Sequence, residues 1–178
     1  MVLRLKGGVV MVYKAMEVAQ YIINRALDKD KNVSNLKLQK LLYYVQAAFL
    51  VDKKEPCFED DIVNWKHGPV VKEVYDQYKE YSDRNITEYQ DGYSIYEFDN
   101  DYNFVKRKIT FDSNMIDEED KNRINKVIDE LLVLSAWNLV DKTHEEDPWK
   151  NTNRFDIISN DSIEDYFRDN QLRIYGVF

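Results

Sequence analysis

The chain is poor in the residues that most catalytic and metal-binding chemistry needs. Among 178 residues there are one cysteine, two histidines, five glycines and three prolines. With Cys57 alone, no intrachain disulfide can form, which fits a reducing compartment and an expected cytoplasmic location. A structural zinc site wants three or four Cys, His or carboxylate ligands, but Cys57, His67 and His144 are scattered and form no CxxC, no HExxH and no deaminase signature, which needs a CxxC beside its HxE. No metal and no cofactor are therefore expected. So few glycines leave no loop to cradle phosphate, and no GxSxG elbow presents a nucleophile.

Lys106-Arg107-Lys108 is the one basic cluster in a chain of net charge −8, too little to predict direct contact with nucleic acid. No apolar run approaches the ~20 residues of a bilayer crossing, and Lys14 and Glu17 interrupt the first one before any cleavage site, so neither a membrane span nor a signal peptide is expected. Acidic charge is concentrated: residues 112–147 hold eleven acidic and four basic side chains, a surface that would steer a basic partner or simply keep the protein soluble.

What the sequence does have is a densely apolar centre. From Leu41 to Val51 only Gln46 is neither apolar nor tyrosine, which predicts a helix buried on nearly every face, with Ser34 or Asn35 as its N-cap. Ahead of it, Ala15, Val18, Ala19, Ile22, Ile23, Ala26 and Leu27 keep helical spacing over Lys14 to Leu27. After it, Trp65-Lys66-His67-Gly68-Pro69 reads as a helix entry, because proline is favoured at the first helical position. Val70, Val71, Val74, Tyr75, Tyr78 and Tyr81 would then share one face. Ile62 to Trp65 is expected to be a short extended or helical lead-in.

Farther on, Ile86–Tyr89 and Tyr93–Phe98 read as strands around an Asp91-Gly92 turn, with a third from Tyr102 to Phe111. Asp117 should cap a helix burying Ile124, Val127, Ile128, Leu131 and Leu132. Ser135 should cap another over Ala136 to Thr143, which Pro148 would prevent from continuing. A last helix, Asp161 to Asn170, would bury Ile163, Tyr166 and Phe167. The fold class is mainly α (α+β): one compact domain over 13–178, of five to seven helices with a small inserted antiparallel hairpin or meander. Residues 1–12 are expected to be an extension.

Three stretches in order, LQKLLYYVQ at 38–46, WKHGPV at 65–70 followed by Val74-Tyr75, and THEEDPW at 143–149, resemble the Panacea family of prophage-associated proteins, the SocA-like antitoxins. The resemblance runs from about Val18 to Phe167. It implies a small helical domain that neutralises a toxin encoded nearby by direct contact, without catalysis, and in one branch hands that toxin to a AAA+ protease. It marks Tyr44, Trp65, His67, Gly68, Pro69, Val70, Tyr75 and Thr143 as motif residues.

Gln39, Tyr43 and Gln46 lie at i, i+4 and i+7, a hydrogen-bonding stripe on the apolar helix, with Lys40 and Tyr44 beside it. Either these groups satisfy nearby loop backbone, for instance around Gly68-Pro69, or they face a groove that takes a partner segment. With His144 and Trp149 they form the candidate partner-binding set: Gln39, Lys40, Tyr43, Gln46, His144 and Trp149. Trp65 is expected in the core, while Trp149, read as lying in an irregular stretch, suits packing or partner contact equally. Thr143 and His144 can cap their helix, and Glu145, Glu146 and Asp147 read as an exposed acidic turn. Two other readings stand beside the antitoxin: a protease adaptor tethered through 1–12 or 171–178, and a hydrolase using Cys57, His67 or His144.

Overall fold

The computed structural model of the protein describes residues 2–5 and 8–176, of which 2–5 and 8–11 as backbone alone. Eight α-helices and three two-stranded antiparallel hairpins follow one another in these residues, a mainly helical α+β domain. Helix α1 (Ala15–Asp28) buries Ala15, Val18, Ala19, Ile22, Ile23 and Ala26, the stripe its spacing predicts. Helix α2 (Asn35–Lys53) starts where Ser34 Oγ accepts the Lys37 N–H at 3.4 Å, leaving Ser34 and not Asn35 as the cap.

Because α2 is apolar all round, it can sit only in the middle, and Leu41, Leu42, Tyr43, Tyr44, Val45 and Ala47 have no exposed surface. Around it pack α1, α3 (Lys72–Tyr78), α4 (Glu118–Leu131), α5 (Ala136–His144) and α7 (Asn160–Asp169). Asp117, Ser135 and Ser159 cap the last three, each side chain accepting a first-turn N–H. Ile124, Val127, Ile128 and Leu131 of α4, with Leu132 after it, face the core, as do Ile163 and Phe167 of α7.

Four expectations are corrected. Pro69 does not open a helix. Residues Gly68–Val71 are strand β4, paired antiparallel with β3 (Ile62–Trp65) in the register Trp65↔Gly68 and Asn64↔Pro69, and the helix starts only at Lys72. A Gly-Pro pair fits a hairpin exit as well as a helix entry: Gly68 takes φ +99° just after the Lys66-His67 turn, and proline's fixed φ suits an edge strand. The β-branched Val70 and Val71 then favour extension.

The meander is a single hairpin of β5 (Gly92–Phe98) and β6 (Phe104–Thr110), closed at Asp99–Asn103 rather than at Asp91-Gly92. Residues 86–89 form no strand, because the backbone there is claimed by the helical body. Ile86 N–H donates to Val33 O, and Asn24 of α1 exchanges two hydrogen bonds with the Gln90 backbone, at 2.7 and 2.9 Å.

α5 stops at His144, ahead of Pro148 as expected, but Pro148 is not followed by irregular chain. It lies in the first turn of α6 (Asp147–Lys150), where its missing N–H costs nothing, so Trp149 is helical and not in an irregular stretch.

The tail at 171–176 is not loose. Leu172–Tyr175 form α8, Ile174 is fully buried, and Tyr175 Oη donates to Asp52 at 2.6 Å. At the other end, the expected extension contains the hairpin β1 (Val2–Leu5) and β2 (Gly8–Met11), and Val12 and Tyr13 are already buried. Met1, Lys6, Gly7, Val177 and Phe178 lie outside the described residues.

With Leu42 buried at the centre of α2, Leu42→Ala should lower unfolding free energy by about 2–5 kcal/mol in chemical denaturation. A loss below about 1 kcal/mol would show that α2 is not the centre of the packing.

Candidate functional site

The three sequence stretches meet at one junction, built by the polar side chains of α2. Gln39 accepts the Val71 N–H at 2.9 Å and donates to Asn35 Oδ1 at 3.0 Å. Lys40 Nζ donates to the Pro69 carbonyl at 3.0 Å. Gln46 ties down the loop after α2, accepting the Cys57 and Phe58 N–H groups and donating to Phe58 O and Asn160 Oδ1. Tyr44 Oη donates to Glu146 at 2.9 Å, and Tyr43 lies edge-on to Tyr44 and Phe167. Gln39, Lys40, Tyr43 and Gln46 are at most 1% exposed. As folded, Gln39, Lys40 and Gln46 bond the backbone of neighbouring segments, Tyr43 packs among aromatic rings, and of these four Gln39 also reaches the wall of a small pocket beside Trp65.

Lys40 explains the glycine. A Cβ on Gly68 would stand 2.5 Å from Lys40 Cε and 2.7 Å from Thr143 Oγ1, so the hairpin reaches the helix only without a side chain there. Burial pushes the Lys40 ammonium down to about 7. Thr143, also fully buried, bonds back to Val140 O within α5. His144, half-buried, stacks on Trp149 at 3.9 Å, and its pKa is lowered by burial and by Lys40, so it is neutral at pH 7. Trp149 Nε1 donates to Trp65 O, while the half-buried Trp65 ring meets Tyr75 edge-on at 4.9 Å. Val70 is buried in β4, and His67, at the hairpin tip, is exposed with its ring edge-on to Trp137 at 5.4 Å.

Several residues that matter here escaped the sequence reading. Glu145 and Asp147 are exposed as expected, but Glu146 between them is fully buried, accepting from Tyr44 and from Arg173 Nε at 2.9 Å. Burial raises its pKa, and the hydrogen bonds from Arg173 and Tyr44 oppose that rise. Spacing to an acid on the N-terminal side of Pro148 offered a weak clue to Glu146; nothing in the sequence pointed to Arg173. Asn64, 5% exposed, holds the 149–156 segment: its amide donates to Trp149 O and Thr152 O, its N–H to Asp156 O, and its carbonyl accepts Phe155 N–H. Of the acids in 112–147, Asp120 is buried against Tyr13, Lys53 and Arg123, and Asp129 is paired with Arg25 and Lys29, so part of that charge is structural.

Chemistry needing a thiolate is poorly served. Cys57 is fully buried beneath Gln46 and its thiol is pushed well up by burial, whereas His67 stands exposed at the tip of the β3–β4 hairpin. Among the described residues no group of three or more His, Cys, Asp or Glu is placed to hold a metal, and no helix is long and apolar enough to cross a membrane. Two members of the basic cluster are matched within the β5–β6 region, Arg107 by Glu97 and Lys108 by Asp91.

The family described as Antitoxin SocA-like, Panacea domain matches residues 38–150, a span that contains all three stretches. The antitoxin SocA of Caulobacter vibrioides (strain NA1000 / CB15N) is 44% identical over 61 residues, 34% of this chain and 32% of that protein. The aligned part thus spans about a third of the curated relative. No solved structure matches.

Two outcomes test the junction. Below pH 7 both folded and unfolded chains hold the Lys40 proton and the buried charge destabilises. Above it the folded state gives up the proton first, the unfolded chain keeps it to about 10.4, and stability climbs with pH. Replacing Lys40 by methionine should therefore remove up to about 1.4 kcal/mol per pH unit from the rise between pH 7 and 9, read from urea midpoints; an unchanged slope would show that Lys40 is not desolvated. Gly68→Val should cost at least about 2 kcal/mol, from its positive φ and the overlap with Lys40 and Thr143. A neutral effect would mean that the hairpin does not close onto α2.

Proposed function

Because this chain belongs to the SocA-like antitoxin, Panacea domain family, we propose that it neutralises a toxin encoded nearby by binding it directly, with no catalysis of its own. The observation that carries this reading is the family match over 38–150, whose three stretches converge on one junction. The buried stripe supports the reading from beneath. Gln39 and Lys40 hold the β3–β4 hairpin, whose His67 lies against Trp137 of α5, 58% exposed, and whose Asn64 carbonyl holds the backbone of Phe155, 65% exposed. Exposed aromatic rings on rigid supports are what a protein interface uses as anchors.

Binding therefore falls to the side chains that the junction presents, while Gln39, Lys40 and Gln46 act through the segments they hold and Tyr43 packs between Tyr44 and Phe167. His144 and Trp149, stacked on each other and half-buried, join the two layers. A cytoplasmic setting, with toxin and antitoxin made side by side, fits this role.

Co-expression with the product of the adjacent open reading frame should rescue growth and yield a co-purifying complex. Trp137→Glu should weaken that complex at least tenfold while the thermal midpoint stays within a few degrees, equivalent to about 1 kcal/mol. Gln46→Ala, which strands the Cys57 and Phe58 N–H groups, should lose rescue only together with a fall in the midpoint. A neighbouring product that is neither toxic nor bound would remove the antitoxin reading.

A further inference from the structure

Beside the junction lies a pocket of about 210 Å³ whose chemistry runs against the rest of the molecule. Trp65, Tyr75 and Phe155 form aromatic walls, and Lys66, Lys79 and Arg154 stand around it. No carboxylate lines it, although the chain carries net charge −8. Lys79 is paired with Asp76, at 3.3 Å. Among the described residues, no carboxylate makes an ion pair with Lys66 or Arg154.

Phe155 supplies a second, independent observation. It takes φ +72°, a conformation that bulky residues rarely adopt, and yet its ring is 65% exposed, so packing does not explain the strain. The backbone is held there from both sides: Phe155 N–H donates to Asn64 O at 2.7 Å, and Asn64 N–H donates to Asp156 O at 2.9 Å. Strain kept in place by over-determined hydrogen bonding is typical of clamps that wait for a ligand. Arg154 lies over the same ring, 4.8 Å from its centroid, which joins the cation to the aromatic wall.

We infer that this pocket is the anchor site for one apolar or aromatic side chain of the partner protein, flanked in that partner by a carboxylate that meets Arg154 and Lys66. The identification of the partner as a toxin rests on the function proposed above; the pocket's chemistry does not. Its volume is below the ~300–1,000 Å³ of typical small-molecule sites and suits a single side chain. The cations around it select an acidic neighbour over a basic one.

The chemistry is tested by titrating the protein at low salt with acetyl-Asp-Phe-Asp-amide and with acetyl-Lys-Phe-Lys-amide, following the Trp65 indole and Phe155 resonances. The acidic peptide should give saturable shifts confined to this pocket, at least tenfold tighter than the basic one. Arg154→Glu, at an exposed position, should abolish that preference. Phe155→Gly relieves the positive φ, so it should hold or raise the thermal midpoint while weakening the acidic peptide severalfold. Equal binding of both peptides, shifts elsewhere, or no shifts would overturn the inference.

A second arm uses the complex with the neighbouring gene product. If that complex forms and Arg154→Glu leaves its affinity unchanged, the anchor site is refuted and the antitoxin reading survives. If no complex forms while the acidic peptide fills the pocket, the toxin-binding reading fails and the pocket chemistry stands.

Discussion

A helix buried on every face has no water available for its polar side chains, and that constraint organises this molecule. α2 carries Gln39, Lys40, Tyr44 and Gln46 among its apolar residues, and each must find a partner from another part of the chain. Gln39 and Lys40 find the backbone of β4, Gln46 the loop at 57–58, and Tyr44 the acid before Pro148. Leaving any one of these groups unpaired would cost about 1–3 kcal/mol, so helix and loops have to form together. Segments far apart in sequence are in this way brought to one place with fixed geometry.

A second tier rests on that arrangement. Glu146 accepts from Tyr44 and from Arg173 of α8 on the same oxygen, Oε1, so α8 is tied to the central helix through a buried carboxylate. Such a pair does little for net stability, because both charges leave water, but losing one partner strands the other. Asn64 does comparable work without charge, gathering four hydrogen bonds from the segment at 149–156. Between them these contacts set Trp65, Trp149 and Phe155 around one hairpin. The exposed rings and the cations beside them rest on what is buried beneath, which is how polar residues without surface can still shape the molecule's exterior.

The sequence made the helical body legible wherever a local rule acts alone. Apolar spacing placed α1, α4 and α7 to within a residue or two, the run from Leu41 to Val51 identified the central helix, and Ser34, Asp117 and Ser135 marked starts. It misled where one residue pair suits two backbones. Gly68-Pro69 closes a hairpin instead of opening a helix, Pro148 begins a new turn of helix after α5 has ended, and Asp91-Gly92 lies at a strand start. Partners distant in sequence hold the segments at 68–71 and 90–92, and these leave no periodic trace.

The site was legible as a set of letters but not as a set of roles. The spacing of Gln39, Tyr43 and Gln46 showed a polar stripe without showing what it meets, Glu146 had only a weak local signature, and Asn64 and Arg173 had none. The central claim is that Gln39, Lys40 and Gln46 are engaged in holding the backbone of the junction. Native-state hydrogen exchange of the Val71, Cys57 and Phe58 amides tests it directly, since these donate to Gln39 and Gln46. They should exchange only through global unfolding, and Gln39→Ala should release Val71 while Cys57 and Phe58 stay slow. Exchange in the free protein as fast as in exposed loops would show that the glutamines are not engaged with the backbone and stand open to a ligand, contradicting the account.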